Sequence, residues 1–275
     1  MPEAAASAKN SGAKPVPGGK EENMDFKKGQ IERAAEAINN AKYLTAFTGA
    51  GISVESGIPP FRGAGGLWSK YDPRMIEIDF FQENPEQSWA EIKKIFYSSM
   101  KSAKPNPAHK TLAAWEQEGM LKGIITQNID NLHQEAGSRN VFEFHGTVNY
   151  LVCTRCGERF FHTDVDLGQD MPSCPKCKGL LKPDFVFYGE GINTEVYQGS
   201  MQLASKSDVM IVVGTSGEVM PACHMPVIVK QNGGTIIEIN TLPSSYTDAI
   251  SDFYFEMKAG EILPKLAEAV KALRR

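Results

Sequence analysis

The chain has 275 residues, 41% of them hydrophobic and 23% charged, with a formal net charge of -4. This length buries a sizeable core and lies where one domain begins to acquire a second, while the acidic balance excludes general affinity for nucleic acid. No apolar run reaches the roughly eighteen residues of a membrane span and the N-terminus lacks the apolar core of a signal peptide, so no membrane association and a cytoplasmic setting are expected.

Residues 1–24 are mostly Ala, Ser, Gly, Pro and Lys, too few large apolar side chains to offset the entropy of ordering, and read as a disordered tail. A helical pattern follows, with Ile31, Ala34, Ala35 and Ile38 on one face, and then a short apolar strand over 43–47 that ends at Gly49-Ala50-Gly51. Three more buried strands are expected at 123–126, 209–213 and 235–239, separated by helices such as 109–118 and 263–273. Alternating strands and helices imply an α/β fold, a doubly wound, Rossmann-like parallel sheet with ligand sites at the carboxyl ends of its strands. That domain takes in 25–62, 105–149 and 182–275. Two segments interrupt it: 63–104, rich in Trp, Phe and helix formers, and 150–181.

The second insertion holds four of the five cysteines as two C-x-x-C pairs, Cys153/Cys156 and Cys174/Cys177, seventeen residues apart. Two tight knuckles at this spacing turn four thiolates toward one tetrahedral ion; disulfides or a redox dithiol fit less well in an intracellular chain. With four sulfur ligands the zinc has no open position and is structural. Cys223 is left over and reads as a small buried hydrophobe.

The chemistry falls at the strand ends. Gly49-Ala50-Gly51-Ile52-Ser53 follows the first strand, where backbone N–H groups approach a pyrophosphate in such folds, though a glycine turn without a ligand is the alternative. Val54 stands where a dehydrogenase fingerprint has its third glycine, and the acid expected about twenty residues later is not evident, which disfavours hydride transfer. After the second strand comes Gln127-Asn128-Ile129-Asp130-Asn131-Leu132-His133, amides suited to sugar hydroxyls or a carboxamide, or to a turn and helix cap. Phe144-His145-Gly146 offers an imidazole able to take a proton from a hydroxyl, or a hydrogen-bonded structural histidine. Gly214-Thr215-Ser216 and Asn240 end the third and fourth strands with small hydroxyls and an amide.

These motifs, with Ser56-Gly57-Ile58-Pro59, Phe61-Arg62 and 182–190, resemble in order those of sirtuins, NAD-dependent protein-lysine deacetylases and deacylases, over about residues 26 to 270. The resemblance implies an acyl-transferring enzyme that consumes NAD and acts on acyl-lysine proteins or peptides. Asn128 and Asp130 would position the nicotinamide ribose and carboxamide, and His145 would act as general base on a ribose hydroxyl, so that lysine departs and O-acyl-ADP-ribose forms. Phe61 would shield the reacting sugar and Arg62 would anchor the loop on phosphate. Gln127, Asn240, Gly214, Thr215, Ser216, Gly49, Ala50, Gly51 and Ser53 would line the cofactor. Val186, Phe187, Gly189 and Glu190 would receive an extended peptide as an added strand, although the same apolar run reads as a core strand.

The chain departs from the family in three places. Pro60 replaces a common Asp and stiffens the cofactor loop. Ile92 and Ile95 stand where desuccinylases carry a Tyr-x-x-Arg pair, predicting an apolar acyl channel that favours acetyl or longer neutral groups over succinyl. Glu218 follows the Thr-Ser where aliphatic residues are common. Protein ADP-ribosyl transfer is the alternative enzyme reading, and a zinc-ribbon binding module on a silent nucleotide fold is the non-enzymatic one.

Overall fold

Short apolar runs buried on both faces build the larger sheet, as the computed structural model shows for residues 21–61, 63, 65–98, 100 and 102–275. The chain runs α1 (Glu21–Asn40), β1 (Leu44–Thr48), α2 (Ile78–Glu83), α3 (Pro85–Ile92), α4 (Pro107–Gln117), β2 (Leu121–Thr126), α5 (Leu132–Glu135) and β3 (Val141–Glu143). It continues through β4 (Gly146–Cys153), β5 (Arg159–Phe161), β6 (Leu181–Phe185), α6 (Thr194–Lys206), β7 (Val209–Val213), α7 (His224–Gln231), β8 (Thr235–Asn240), β9 (Phe253–Glu256) and α8 (Ala259–Leu273). Of the tail expected over 1–24, residues 1–20 lie outside those described, and 21–24 open α1.

Six strands form a parallel sheet in the order β3-β2-β1-β7-β8-β9, two more than the apolar runs predict. β3 and β9 are short edge strands with half-buried residues, so they lack the continuous apolar signature of the inner four. Val209, Ile211 and Val213 of β7 face one side, packed with Ala34, Ala35 and Ile38 of α1, Leu112 of α4 and Leu266 of α8. Met210 and Val212 face the other, with Leu203 of α6 and Met225 and Val229 of α7. Helices therefore cover both faces, the doubly wound arrangement.

The two interrupting segments share one core. Phe81, Trp89, Ile92, Ile95 and Phe96 pack with Leu151, Cys153, Cys174, Leu181, Phe185 and Phe187, and the Trp89 indole donates to the Leu181 carbonyl at 2.9 Å. The antiparallel β5-β4-β6 sheet belongs to this body and runs from Gly146 to Phe185, beyond the 150–181 expected for it.

Two buried histidines join α4 and α5 beneath β1. His109 Nδ1 accepts from the Asn106 N–H at 3.4 Å, and His133 Nε2 meets the Thr48 hydroxyl at 2.9 Å, leaving His109 Nε2 and His133 Nδ1 without partners. Burial lowers both pKa values, that of His109 to about 4. The unfolded chain, with ordinary histidines near 6.5, therefore binds more protons than the native state as pH falls. Stability is expected to decline from about pH 6.5 toward pH 4, by ~3 kcal/mol from His109 alone, which lies fully buried. Urea midpoints between pH 7 and 5 measure it. A His109→Gln variant with an unreduced pH slope would refute the assignment.

Candidate active site

The carboxyl ends of β1, β2, β7 and β8 open on a cavity of about 870 Å³, within the range of small-molecule sites. Its floor is a backbone crossing. The Gly49 N–H donates to the Val213 carbonyl at 2.9 Å and the Gly51 N–H to the Gly214 carbonyl at 2.8 Å. A Cβ on Gly51 would lie 2.5 Å from the Gly214 Cα, and Gly214 has φ 65°, so only glycines let these turns meet. Gly49, Ala50, Gly51, Gly214, Thr215 and Ser216 all line the cavity.

At one end stand Asn128 and His145. The Asn128 amide donates to the Gly49 carbonyl and the Ser53 hydroxyl, each at 3.2 Å, while its buried Oδ1 has no partner. Ser53 and Asp130 do not line the cavity. They stand behind it: the Ser53 hydroxyl donates to Asp130 at 2.6 Å, and the other carboxylate oxygen accepts the Leu132 N–H at 3.0 Å. The two residues thus fix the Asn128 amide rather than face the void. Burial raises the Asp130 pKa against these hydrogen bonds, which oppose the rise.

His145 Nδ1 lies 3.1 Å from the Gln127 carbonyl. A carbonyl only accepts, so Nδ1 carries the proton and Nε2 the lone pair. Burial lowers the His145 pKa, and the Gln127 carbonyl opposes that only in part, so the ring is a neutral base at physiological pH. Gln127 itself reaches across to donate to the Thr215 hydroxyl at 2.9 Å, which also accepts the Gly217 N–H at 3.3 Å. Thr215 keeps its own hydroxyl hydrogen to donate. At the far end the Asn240 amide donates to the Thr215 carbonyl and to Glu238.

The mouth is aromatic. Phe61 packs 5.6 Å from Trp68, and Trp68 6.4 Å from Tyr188. Arg62, expected on phosphate, lies outside the described residues. Val186, Phe187, Gly189 and Glu190 line the cavity, with the Val186 N–H on the His145 carbonyl and the Phe187 N–H on the Glu190 carboxylate. Lys182 supports this stretch from below, its ammonium on Glu190 at 3.0 Å and on the Pro183 and Phe185 carbonyls. Pro60 and Glu218 also reach the cavity.

Ile92 and Ile95 do not line it. They are 0 and 1% exposed, sealed within the core behind, and the apolar wall is made by Ile76, Phe96, Phe185 and Phe187 instead. The expected acyl channel fails at these two positions because both side chains turn into the core, and in the wider helical turn over Lys93–Ser98 it is Phe96 that lines the cavity. Sequence reasoning also missed Glu238, although a carboxylate in the apolar run Ile236-Ile237-Glu238-Ile239 is a legible anomaly.

The four cysteine sulfurs lie within 4.8 Å of one another, with Cys153 and Cys177 at 3.4 Å and Cys156 and Cys174 at 3.9 Å. Zinc bonds of about 2.3 Å in a tetrahedron need sulfurs about 3.8 Å apart, so the cluster fits the ion. A Cβ on Gly179 would stand 3.0 Å from the Cys153 sulfur, which accounts for glycine there.

The model of the Sir2 family matches residues 49–221. The chain belongs to the Sir2 family. Relatives include the NAD-dependent protein deacylase of Pyrococcus furiosus, 47% identical over 89% of this chain and all of that one. The NAD-dependent protein deacetylase of Caldivirga maquilingensis is 42% identical over 88% of this chain and 94% of its own. Among solved Sir2 structures, a homologue in complex with NAD superposes with a TM-score of 0.83 at 41% identity, covering 89% of this chain and 95% of that one. A Sir2 bound to a p53 peptide and NAD+ gives 0.81 at 36% identity over 88% and 99%. The glycine crossing, the aromatic mouth and the cysteine cluster are thus parts of a Sir2 fold.

Proposed function

We propose that this Sir2 protein removes acyl groups from protein lysines, consuming NAD and releasing nicotinamide and O-acyl-ADP-ribose. The observation that carries this reading is the pairing, at one end of the cavity, of a neutral His145 Nε2 with the orphaned Asn128 Oδ1. A buried acceptor without a partner is costly, and a carboxamide N–H of the nicotinamide satisfies it. NAD supplies a glycosidic bond whose cleavage leaves a sugar carbon open to the acyl oxygen. His145 takes the proton from a ribose hydroxyl and so makes it a nucleophile toward the acyl carbon. Ser53 and Asp130 act through Asn128. The glycine crossing admits the pyrophosphate and the Thr215 hydroxyl donates to it. Phe61 and Trp68 keep water from the reacting sugar.

The peptide adds as a strand along Val186–Glu190, so main-chain bonds give affinity with little demand on sequence. One zinc, held by the four cysteines, is structural, and thiols of this kind fit a cytoplasmic setting. Mass spectrometry of an acetyl-lysine peptide incubated with and without NAD tests the reaction. Free lysine with O-acetyl-ADP-ribose, only with NAD, is the expected result; nicotinamide release with an acyl group left in place would favour ADP-ribosyl transfer.

The wall of Ile76, Phe96, Phe185 and Phe187 favours a second feature, acceptance of longer neutral acyl chains. Lys182, 4.0 Å above the Phe187 ring, is engaged by Glu190 and two carbonyls and is not free to pair an acidic tail. Succinyl-lysine is expected to show a kcat/KM at least about tenfold below acetyl-lysine, the cost of a desolvated, unpaired carboxylate. Equal values for the two peptides would overturn this.

A further inference from the structure

We infer that Glu238 sets the nucleotide selectivity of this site, holding Asn240 so that the cavity takes a nucleotide with a free ribose hydroxyl and rejects one with a phosphate there. The inference rests on the reading of the cavity as an NAD site. His145 and Asn128 mark the nicotinamide end, so the nucleoside at Asn240 is the adenosine half. Glu238 is 0% exposed. Its Oε1 accepts from the Asn240 amide at 2.9 Å, the Ser244 hydroxyl at 2.5 Å and the Thr247 hydroxyl at 3.1 Å, and its Oε2 accepts the Ser251 hydroxyl at 2.7 Å. All these donors are neutral, and among the described residues no cation pairs with this carboxylate.

The consequence lies in the second amide hydrogen of Asn240, which donates to the Thr215 carbonyl at 3.0 Å. Both hydrogens are thereby used on protein acceptors, which fixes the amide orientation, and only Oδ1 is left to a ligand in the cavity that Asn240 lines. An acceptor backed by a buried carboxylate attracts a hydroxyl hydrogen and repels a phosphate. Nucleotide folds of this class commonly place an acid at a strand end on the ribose hydroxyl and an Arg where a 2′-phosphate is accommodated. Here the acid is not absent but one step back, at the end of β8, with an amide interposed. Lys258 also lines the cavity.

Calorimetry of the zinc-loaded protein with ADP-ribose and 2′-phospho-ADP-ribose tests this without turnover. ADP-ribose is expected to bind about tenfold or more tightly than its phosphorylated analogue, the scale of a charge left facing a buried acceptor. Glu238→Gln keeps an acceptor for Asn240 and removes only the charge, so that ratio is expected to narrow several-fold. Glu238→Ala frees Asn240, raising the KM for NAD with kcat within about twofold, a split that a general loss of folded enzyme would not produce. Equal binding of the two nucleotides by the parent protein overturns the inference whatever the variants do. An unchanged ratio in a folded Glu238→Gln variant overturns it as well. Failure of both nucleotides to bind would instead defeat the reading of the cavity itself.

Discussion

His145→Ala is expected to cut formation of free lysine and O-acyl-ADP-ribose by about 10²–10⁴-fold, the usual contribution of a positioned general base. The KM for NAD should change little, because the parts that hold the nucleotide lie elsewhere: the glycine crossing, Thr215 and the Asn128 amide make no contact through the imidazole. The pH profile gives a second readout. Burial disfavours imidazolium at this position more than the Gln127 carbonyl favours it, so the folded-state pKa lies below the ordinary 6.5. The reactive neutral ring is then fully present at pH 7.5, and kcat/KM should fall only on the acid side of about pH 6.5, with slope one. An acid limb near pH 8, or product formation that survives in His145→Ala, would remove His145 from the role of base. His145→Gln separates shape from basicity: its amide can still donate to the Gln127 carbonyl but has no basic lone pair, and it should be as inactive as alanine.

How much of this was legible in the sequence depends on where each signal resides. β7 was read to the residue and β8 to within one, because both are buried on both faces and are apolar but for Glu238 and the ends of β8. β3 and β9 escaped because an edge strand of three or four half-buried residues has no such run. The ligand-facing glycines, Asn128 and His145 were recognisable because the physical demand is local: a glycine at a crossing, an amide or imidazole at a strand end. Ser53 and Asp130 were expected on the ligand and instead stand behind Asn128, a distinction that depends on which way a side chain turns. The acyl wall was misassigned for a related reason. A widened turn over Lys93–Ser98 brings Phe96 to the cavity, and matching Ile92 and Ile95 to a relative's Tyr-x-x-Arg pair cannot register it. The shared core of the two interrupting segments is a tertiary fact, carried by contacts such as Trp89 with Leu181 that lie 92 residues apart.

Removing the zinc is expected to have the largest effect on stability. The knuckles are backbone turns with little apolar content of their own: the Cys153 N–H donates to the Glu158 carbonyl, the Cys174 N–H to the Gly179 carbonyl, and Lys178 takes a left-handed φ of 62°. Without an ion, sulfurs at 3.4 to 3.9 Å face one another with only weak backbone donors beside them, such as the Cys177 N–H on the Cys174 sulfur. Structural zinc sites bind with about 10–16 kcal/mol in isolated fingers, and even a third of that lowers the Tm of a chain of this size by roughly 6–9 °C. The damage should not stay within the knuckles. Cys153 and Cys174 pack in the same cluster as Phe96, Phe185 and Phe187, and β6 leads from the second knuckle directly into Val186–Glu190. Loss of the ion should therefore raise the KM for acyl peptide before it abolishes nucleotide binding, since the glycine crossing between β1 and β7 is built on the separate cores of the large sheet. Metal analysis should find one zinc per chain, and a Cys174→Ser variant or exhaustive chelation should lower Tm and peptide affinity together. Full activity and an unchanged Tm in protein shown to be zinc-free would sink this account, as would recovery of the four cysteines as two disulfides.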